Sequence, residues 1–270
     1  MGHRWGYGAS DGPSMGAAEA PSGAVAALEG AAVAALEGAA VAAPEGMLRG
    51  AVVVDLSAMW AGPLCGRLLA EGGARVVKVE SCTRPDGARA DARFFNRLHA
   101  GQRLVTIDFG SADGRAELAG LLTGADIVIE ASRPRALAQL GLAPDELDRP
   151  DGQVWLSITG YGRDDPGKVA FGDDAAVAGG LVGRDDDGDP VFCADAIADP
   201  LTGVCGAYAV AMAYANGGGS LIDLSMRNVA ATFAAAPPEC PGEHPVTQDG
   251  FGWKVACSQL GRSQWVLPPC

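Results

Sequence analysis

From residue 51 onward, short apolar runs rich in β-branched residues alternate with segments whose apolar side chains recur at helical spacing. This alternation narrows the possible folds more than any other feature. The strand-like runs are AVVVDL at 51–56, RVVKVE at 75–80, LVTID at 104–108, DIVIE at 126–130, VWLSI at 154–158 and residues 221–224. Between them, 62–71 carries Leu64, Leu68 and Leu69 at helical spacing, and 112–122 reads as a second helix. Asp199 and Pro200 cap and open a longer helix that stops at Gly217, Gly218 and Gly219. Strand and helix in turn mean βαβ units, so the expected fold class is α/β, a mostly parallel sheet with helices on both faces. Ligands of such sheets sit at the carboxyl ends of the strands, which directs attention to the loops there.

Residues 1–46 differ in kind. GAVAALE, GAAVAALE and GAAVAAPE repeat with a period of about eight, which puts Glu29, Glu37 and Glu45 in equivalent places. Alanine favours helix, but the recurring glycine opposes it and almost no large side chain is available to bury. The expectation is a low-complexity Ala/Gly-rich leader over 1–46, disordered or weakly helical, then a folded domain over 47–236 and a short proline-rich tail over 237–270. Translation starts at Met1 or at Met47 on this reading.

The net charge of −13 argues against nucleic acid, which needs a basic footprint to displace counterions from phosphates. An anionic small ligand met by a local basic patch stays compatible with it. Seven cysteines, at 65, 82, 193, 205, 240, 257 and 270, form no CxxC pair and no short Cys/His spacing. Neither a zinc site nor a disulfide framework is indicated, and a reducing cytoplasm is the expected location. No basic segment followed by an apolar core opens the chain, so no signal peptide is read. Residues 200–221 are interrupted by glycine and rich in alanine, which suits a packed core helix and not a membrane span.

Three stretches carry groups suited to chemistry. Residues 158–183, ITGYGRDDPGKVAFGDDAAVAGGLVG, set Asp173 and Asp174 on a glycine. Either carboxylate caps a helix running to about residue 181 or is a reacting group. The loop after the first strand, SAMWAGP at 57–63, lacks G-x-G-x-x-G, which argues against a nicotinamide or flavin site. Residues 84–103 gather Arg84, Arg89, Arg93, Arg97 and Arg103 against only Asp86 and Asp91. Arg89, Arg93 and Arg97 are spaced to share one helix face, either a solvated face or a seat for phosphates. The run RDDDGD at 184–189 lacks the terminal Glu of a calcium loop and reads as an exposed turn. Trp155 and Trp253 read as core, and His244, flanked by prolines, as exposed.

Taken in order, Val54-Asp-Leu-Ser57, Trp60-Ala-Gly-Pro63, Gly73-Ala74, Val77-Lys-Val-Glu80, Pro85-Asp86, Ile129-Glu130, Arg133-Pro134, Ile158-Thr-Gly-Tyr-Gly162, Gly172-Asp-Asp174 and Asp199-Pro-Leu-Thr-Gly203 resemble the family III CoA-transferases. This CaiB/BaiF group includes formyl-CoA, carnitine-CoA and bile-acid CoA transferases and the related α-methylacyl-CoA racemase. The resemblance implies a Rossmann-like fold and a coenzyme A thioester as substrate, with no tightly bound cofactor. It implies a carboxylic acid as second substrate, and an interlocked homodimer or a heteromer with a second CoA-transferase chain. It assigns the catalytic aspartate to Asp174. Asp173 stands where transferases usually have Tyr and racemases His, and reads as cap or supporting group because adjacent carboxylates at a helix start point apart. The coenzyme A contacts fall on Met59, Trp60 and Ala61, and on Arg97, Leu98 and Arg103. Ala131 stands where the family has an asparagine.

The implied chemistry is covalent exchange. A carboxylate attacks the thioester carbonyl, forms a mixed anhydride and releases the CoA thiolate; the thiolate returns to leave an aspartyl-CoA thioester, which an acceptor carboxylate takes up by the same route. Water must be kept from both intermediates. Two other readings stay open: an α-methylacyl-CoA racemase, whose His/Asp pair finds no histidine between His99 and His244, and a CoA-binding subunit without turnover. Family members continue well past this length, with a smaller second domain and a glycine-rich loop that closes over the aspartate. The expectation here is a short form with the small C-terminal domain largely missing.

Overall fold

The computed structural model describes residues 46–236 apart from 186, together with 246–249, 252–257 and 262–266. The expectations for residues 1–45, for His244 and for the side chain of Trp253 lie outside the described residues. The chain begins with β1 (Val52–Asp55), α1 (Ala61–Glu71), β2 (Arg75–Ser81), a 3₁₀ turn (Gly87–Ala90), α2 (Ala92–His99) and β3 (Arg103–Ile107). It continues through α3 (Ala112–Thr123), β4 (Ile127–Glu130), α4 (Pro134–Ala138), β5 (Val154–Thr159), α5 (Gly172–Ala178), β6 (Val182–Arg184) and β7 (Pro190–Phe192). After these come α6 (Ala198–Ala215), β8 (Leu221–Ser225), α7 (Met226–Ala235), β9 (Val246–Asp249), β10 (Gly252–Cys257) and β11 (Arg262–Val266).

Six strands form one sheet in the order β3-β2-β1-β4-β5-β8, every neighbouring pair parallel, as the alternating sequence predicts. The period-two alternation sorts the strand residues into two cores. Val53, Ile127, Ile129 and Leu156 join the side chains of α1, α5, α6 and α7, while Val54, Val128 and Trp155 join Leu118 and Leu122 of α3. Trp155 is fully buried, in line with its core reading. Each fully buried Leu or Ile stabilises the fold by about 2 kcal/mol. α6 approaches α1 closely because Gly203 has no side chain: a Cβ there would lie 2.7 Å from the carbonyl oxygen of Ala61.

Three local expectations are corrected and one element is new. α5 ends at Ala178, short of residue 181, because Gly179 caps it and Gly180 turns the chain at φ +83°. Arg89 lies outside α2, whose N-cap is Asp91, so only Arg93 and Arg97 are on that helix. Asp199 falls in the first turn of α6 but does not cap it; its carboxylate bonds the amides of Gly172 and Ala61. The hairpin of β6 and β7 has no counterpart in the sequence reading, since its strands are only three residues each. Between them the described residues make the expected exposed turn, Asp185 accepting from the amides of Asp187 and Asp189.

Candidate functional site

The strand order reverses between β1 and β4, which splays their connections apart and leaves a crevice beyond the carboxyl ends of the strands. A cleft of about 730 Å³ opens there, in the size range of small-molecule sites. Met59 lines it from the loop after β1, Ser132 and Arg133 from the loop after β4, and Thr159 and Gly160 from the end of β5. Arg84, Arg133, Arg135 and Lys168 reach it, against the carboxylates of Asp165 and Asp199. In a chain of net charge −13, the lining of this cleft therefore carries more cations than carboxylates.

The wall after β1 is held from below. Met59 adopts a left-handed backbone, φ 71°, which is unfavourable for a residue with a side chain. Its amide donates to Asp86 Oδ1 at 2.9 Å. Two residues earlier, the Ser57 carbonyl accepts from Lys78 Nζ. Lys78 and Asp86 pair at 3.5 Å with side chains 1% and 0% exposed. His99 Nε2 lies 3.9 Å from the same Asp86 oxygen, and its Nδ1 is 2.8 Å from Gln102 Oε1. Glu80 accepts the Asp86 amide and both nitrogens of a forked Arg89, whose guanidinium lies 4.1 Å over the Phe95 ring. Arg89 is thus committed to structure and is not free to seat a phosphate.

The opposite wall is the start of α5. Asp174 Oδ2 accepts the Phe171 amide at 3.2 Å, which corrects the expectation of Asp173 as the cap: the cap bond belongs to Asp174. Asp173 Oδ1 instead accepts the Ala196 amide at 2.9 Å. Asp199 joins the two walls through the Gly172 and Ala61 amides. Burial pushes its pKa up from the ordinary 3.8 to about 6; the two amides pull it down, and Asp173 and Asp195 add repulsion. Farther back, Arg163 steadies the glycine-rich end of β5, its amide on Asp223 Oδ2 at 2.8 Å and its guanidinium on Glu130 at 3.2 Å. Burial raises the Glu130 pKa, although bonds from Trp155 and Ser157 and the charge of Arg163 oppose it.

The Asp199 shift has a measurable sign. From about pH 4 to pH 6 the folded state holds a proton that the unfolded state has lost, so stability falls as pH rises through that window and stays at the lower level above it. Asp199→Asn keeps an acceptor oxygen without the charge. It is expected to raise stability on the order of 1 kcal/mol at pH 7.5, partial exposure discounting the full shift, and to change little at pH 4. Urea denaturation at the two pH values checks this; equal effects at both would remove the burial penalty from the account.

A family model described as CoA-transferase family III matches residues 48–243. The chain belongs to CoA-transferase family III. A succinate–glutarate CoA-transferase of Agrobacterium fabrum is 30% identical over 206 residues, which is 67% of this chain and 51% of that protein. A human α-methylacyl-CoA racemase is 35% identical over 117 residues, covering 43% of this chain and 29% of the racemase. The crystal structure of the Mycobacterium tuberculosis protein Rv3272 superposes with a TM-score of 0.65 at 27% identity, over 77% of this chain and 64% of the other. The chain spans about half, or less, of the length of the curated relatives it matches.

Of the residues that the family III resemblance marks for coenzyme A, Met59 and Ala61 line the cleft, and Trp60 stands edge-on to Phe94 with centroids 5.3 Å apart. Leu98 is buried, Arg97 and Arg103 are exposed, and none of these three lines the cleft. Asp174 is exposed and does not itself line the cleft; its carboxylate accepts the amide of the lining residue Phe171. Sequence reasoning missed the buried pair of Lys78 and Asp86 and the bridging role of Asp199. A signal was present for Lys78, since a lysine between Val76 and Glu80 on one face of a two-sided buried strand has to find a partner.

Proposed function

We propose that the chain is a CoA-transferase that moves coenzyme A between an acyl-CoA thioester and a carboxylic acid through an aspartyl mixed anhydride and an aspartyl-CoA thioester. The observation that carries the reading is the cationic cleft at the strand reversal of a family III chain, which suits a substrate bearing phosphates. Coenzyme A enters and leaves as substrate and not as a resident cofactor. Asp174 is the proposed nucleophile: its carboxylate holds a single long cap bond that it can give up on attacking the carbonyl. Apolar Phe171, whose amide donates to Asp174, and Val169 of the cleft lining are suited to shielding the intermediates from water. The racemase reading gains no support from the geometry, because His99, the sole histidine among the described residues, lies in the buried cluster with Asp86 and does not line the cleft.

The test is to incubate the full chain with a panel of acyl-CoAs, trap with hydroxylamine and map every modified carboxylate by mass spectrometry. A hydroxamate on Asp174, lost in Asp174→Asn, is the expected result. An adduct on Asp165, Asp173 or Asp199 would move the nucleophile and keep the transferase. Deuterium exchange at the α-carbon without any adduct would replace it by the racemase, and CoA binding with neither would leave a binding subunit.

A further inference from the structure

We propose that the buried pair of Asp86 and Lys78 is a positioning device that shapes the β1 wall of the cleft, Asp86 holding Met59 left-handed through its amide and Lys78 holding the carbonyl of Ser57. Three observations converge on it. Met59 is a non-glycine residue at φ 71° and is 45% exposed, so core packing does not dictate its backbone. A strained residue persists only where its surroundings over-determine it. The bond that does so comes from Asp86, 27 residues away in sequence and buried, which also accepts the Ala88 amide at 2.9 Å.

Second, the loop is tied at alternate residues by separate elements: Ser57 by Lys78 of β2, Met59 by Asp86, and Ala61 by Asp199 of α6. Such a suspension fixes the direction of each peptide between the ties. Third, the second oxygen of Asp86 and Nε2 of His99 face each other at 3.9 Å without a hydrogen bond from the protein. One oxygen of Asp86 thus holds two amides while the other faces Lys78 and an unsatisfied ring nitrogen, an arrangement that adds little to stability but fixes the geometry of what the carboxylate holds. Gly87 fits the same picture, since a Cβ there would meet Met59 Sδ at 2.8 Å.

The consequence for ligand binding rests on the CoA-transferase reading; the tether itself does not. Hydrogen exchange of the peptide covering 57–61 in the free protein reads the tether, and calorimetric titration with coenzyme A reads its consequence. Asp86→Asn, which keeps the shape and an acceptor, is expected to speed exchange of the Met59 amide and to weaken coenzyme A binding about tenfold; Asp86→Ala is expected to do more of both. Gln153→Ala removes two buried bonds at the far end of the sheet and is expected to lower the melting temperature while leaving both readouts at wild-type values. Unchanged exchange in both Asp86 variants overturns the proposal, and so does faster exchange with coenzyme A affinity intact. If the wild type does not bind coenzyme A, the substrate reading fails, and exchange alone decides the tether.

Discussion

Gly172→Ala is expected to lower the melting temperature by about 10 °C, because one methyl group separates two helix starts that need to touch. A Cβ on Gly172 would lie 2.3 Å from Asp199 Oδ2 and 2.4 Å from the carbonyl oxygen of Ala196. Neither contact is the free end of a flexible side chain: Ala196 presents backbone, and Asp199 is held by two amides. Ala196 itself sits at φ 47°, a conformation costing an alanine about 1–2 kcal/mol, and its amide is fixed by Asp173. Pushing the two segments apart therefore weakens the Asp199 bridge and the turn at Ala196 together, for a loss on the order of 3 kcal/mol. Gly120→Ala supplies the contrast. Gly120 lies within α3 with open space where its Cβ would be, so alanine there is expected to add about 0.5–1 kcal/mol through helix propensity. Thermal melts of the two variants compare close approach with propensity in one chain, and a Gly172→Ala melt within about 2 °C of wild type would contradict this account of the junction.

The sheet was legible because its strands are short β-branched runs bounded by turn formers, and burial on both faces left runs such as VVVD and IVIE without interruption. Where the sequence reading failed, the cause was a tertiary bond and not a local preference. Asp199 looked like a helix cap beside Pro200, and it sits in the first turn, but Gly172 and Ala61 compete for its carboxylate and win. Arg89 looked like one of three arginines on a helix face, yet Glu80 draws it into a forked pair on the 3₁₀ turn. Of the marked contact residues, those next to a strand end, Met59 and Ala61, reached the cleft, since the fold alone places such loops there. Arg97 and Arg103 were marked by the arginine-rich stretch and by resemblance, yet they lie away from it, on α2 and at the amino end of β3.

Lys78→Met is expected to destabilise the protein by about 3–5 kcal/mol, the range for stranding one member of a buried ion pair. The Lys78 side chain is 1% exposed and its partner Asp86 fully buried, so no water takes the place of the lost ammonium. The Ser57 carbonyl loses its donor in the same step. Removing the charge on both sides separates these contributions. In Lys78→Met with Asp86→Asn the uncompensated carboxylate is gone, and the double variant is expected to be more stable than Lys78→Met alone, with a coupling of about 1–3 kcal/mol in a double-mutant cycle. Urea denaturation of the four proteins gives that number, and strict additivity would mean that the two charges do not act as a pair. A well-packed apolar pair at such a place is often as stable as the ionic one, so stability by itself gives little reason for a lysine inside β2. The reason lies in what the two charges hold: a carbonyl and an amide two residues apart, on either side of Ala58, in the loop that lines the cleft.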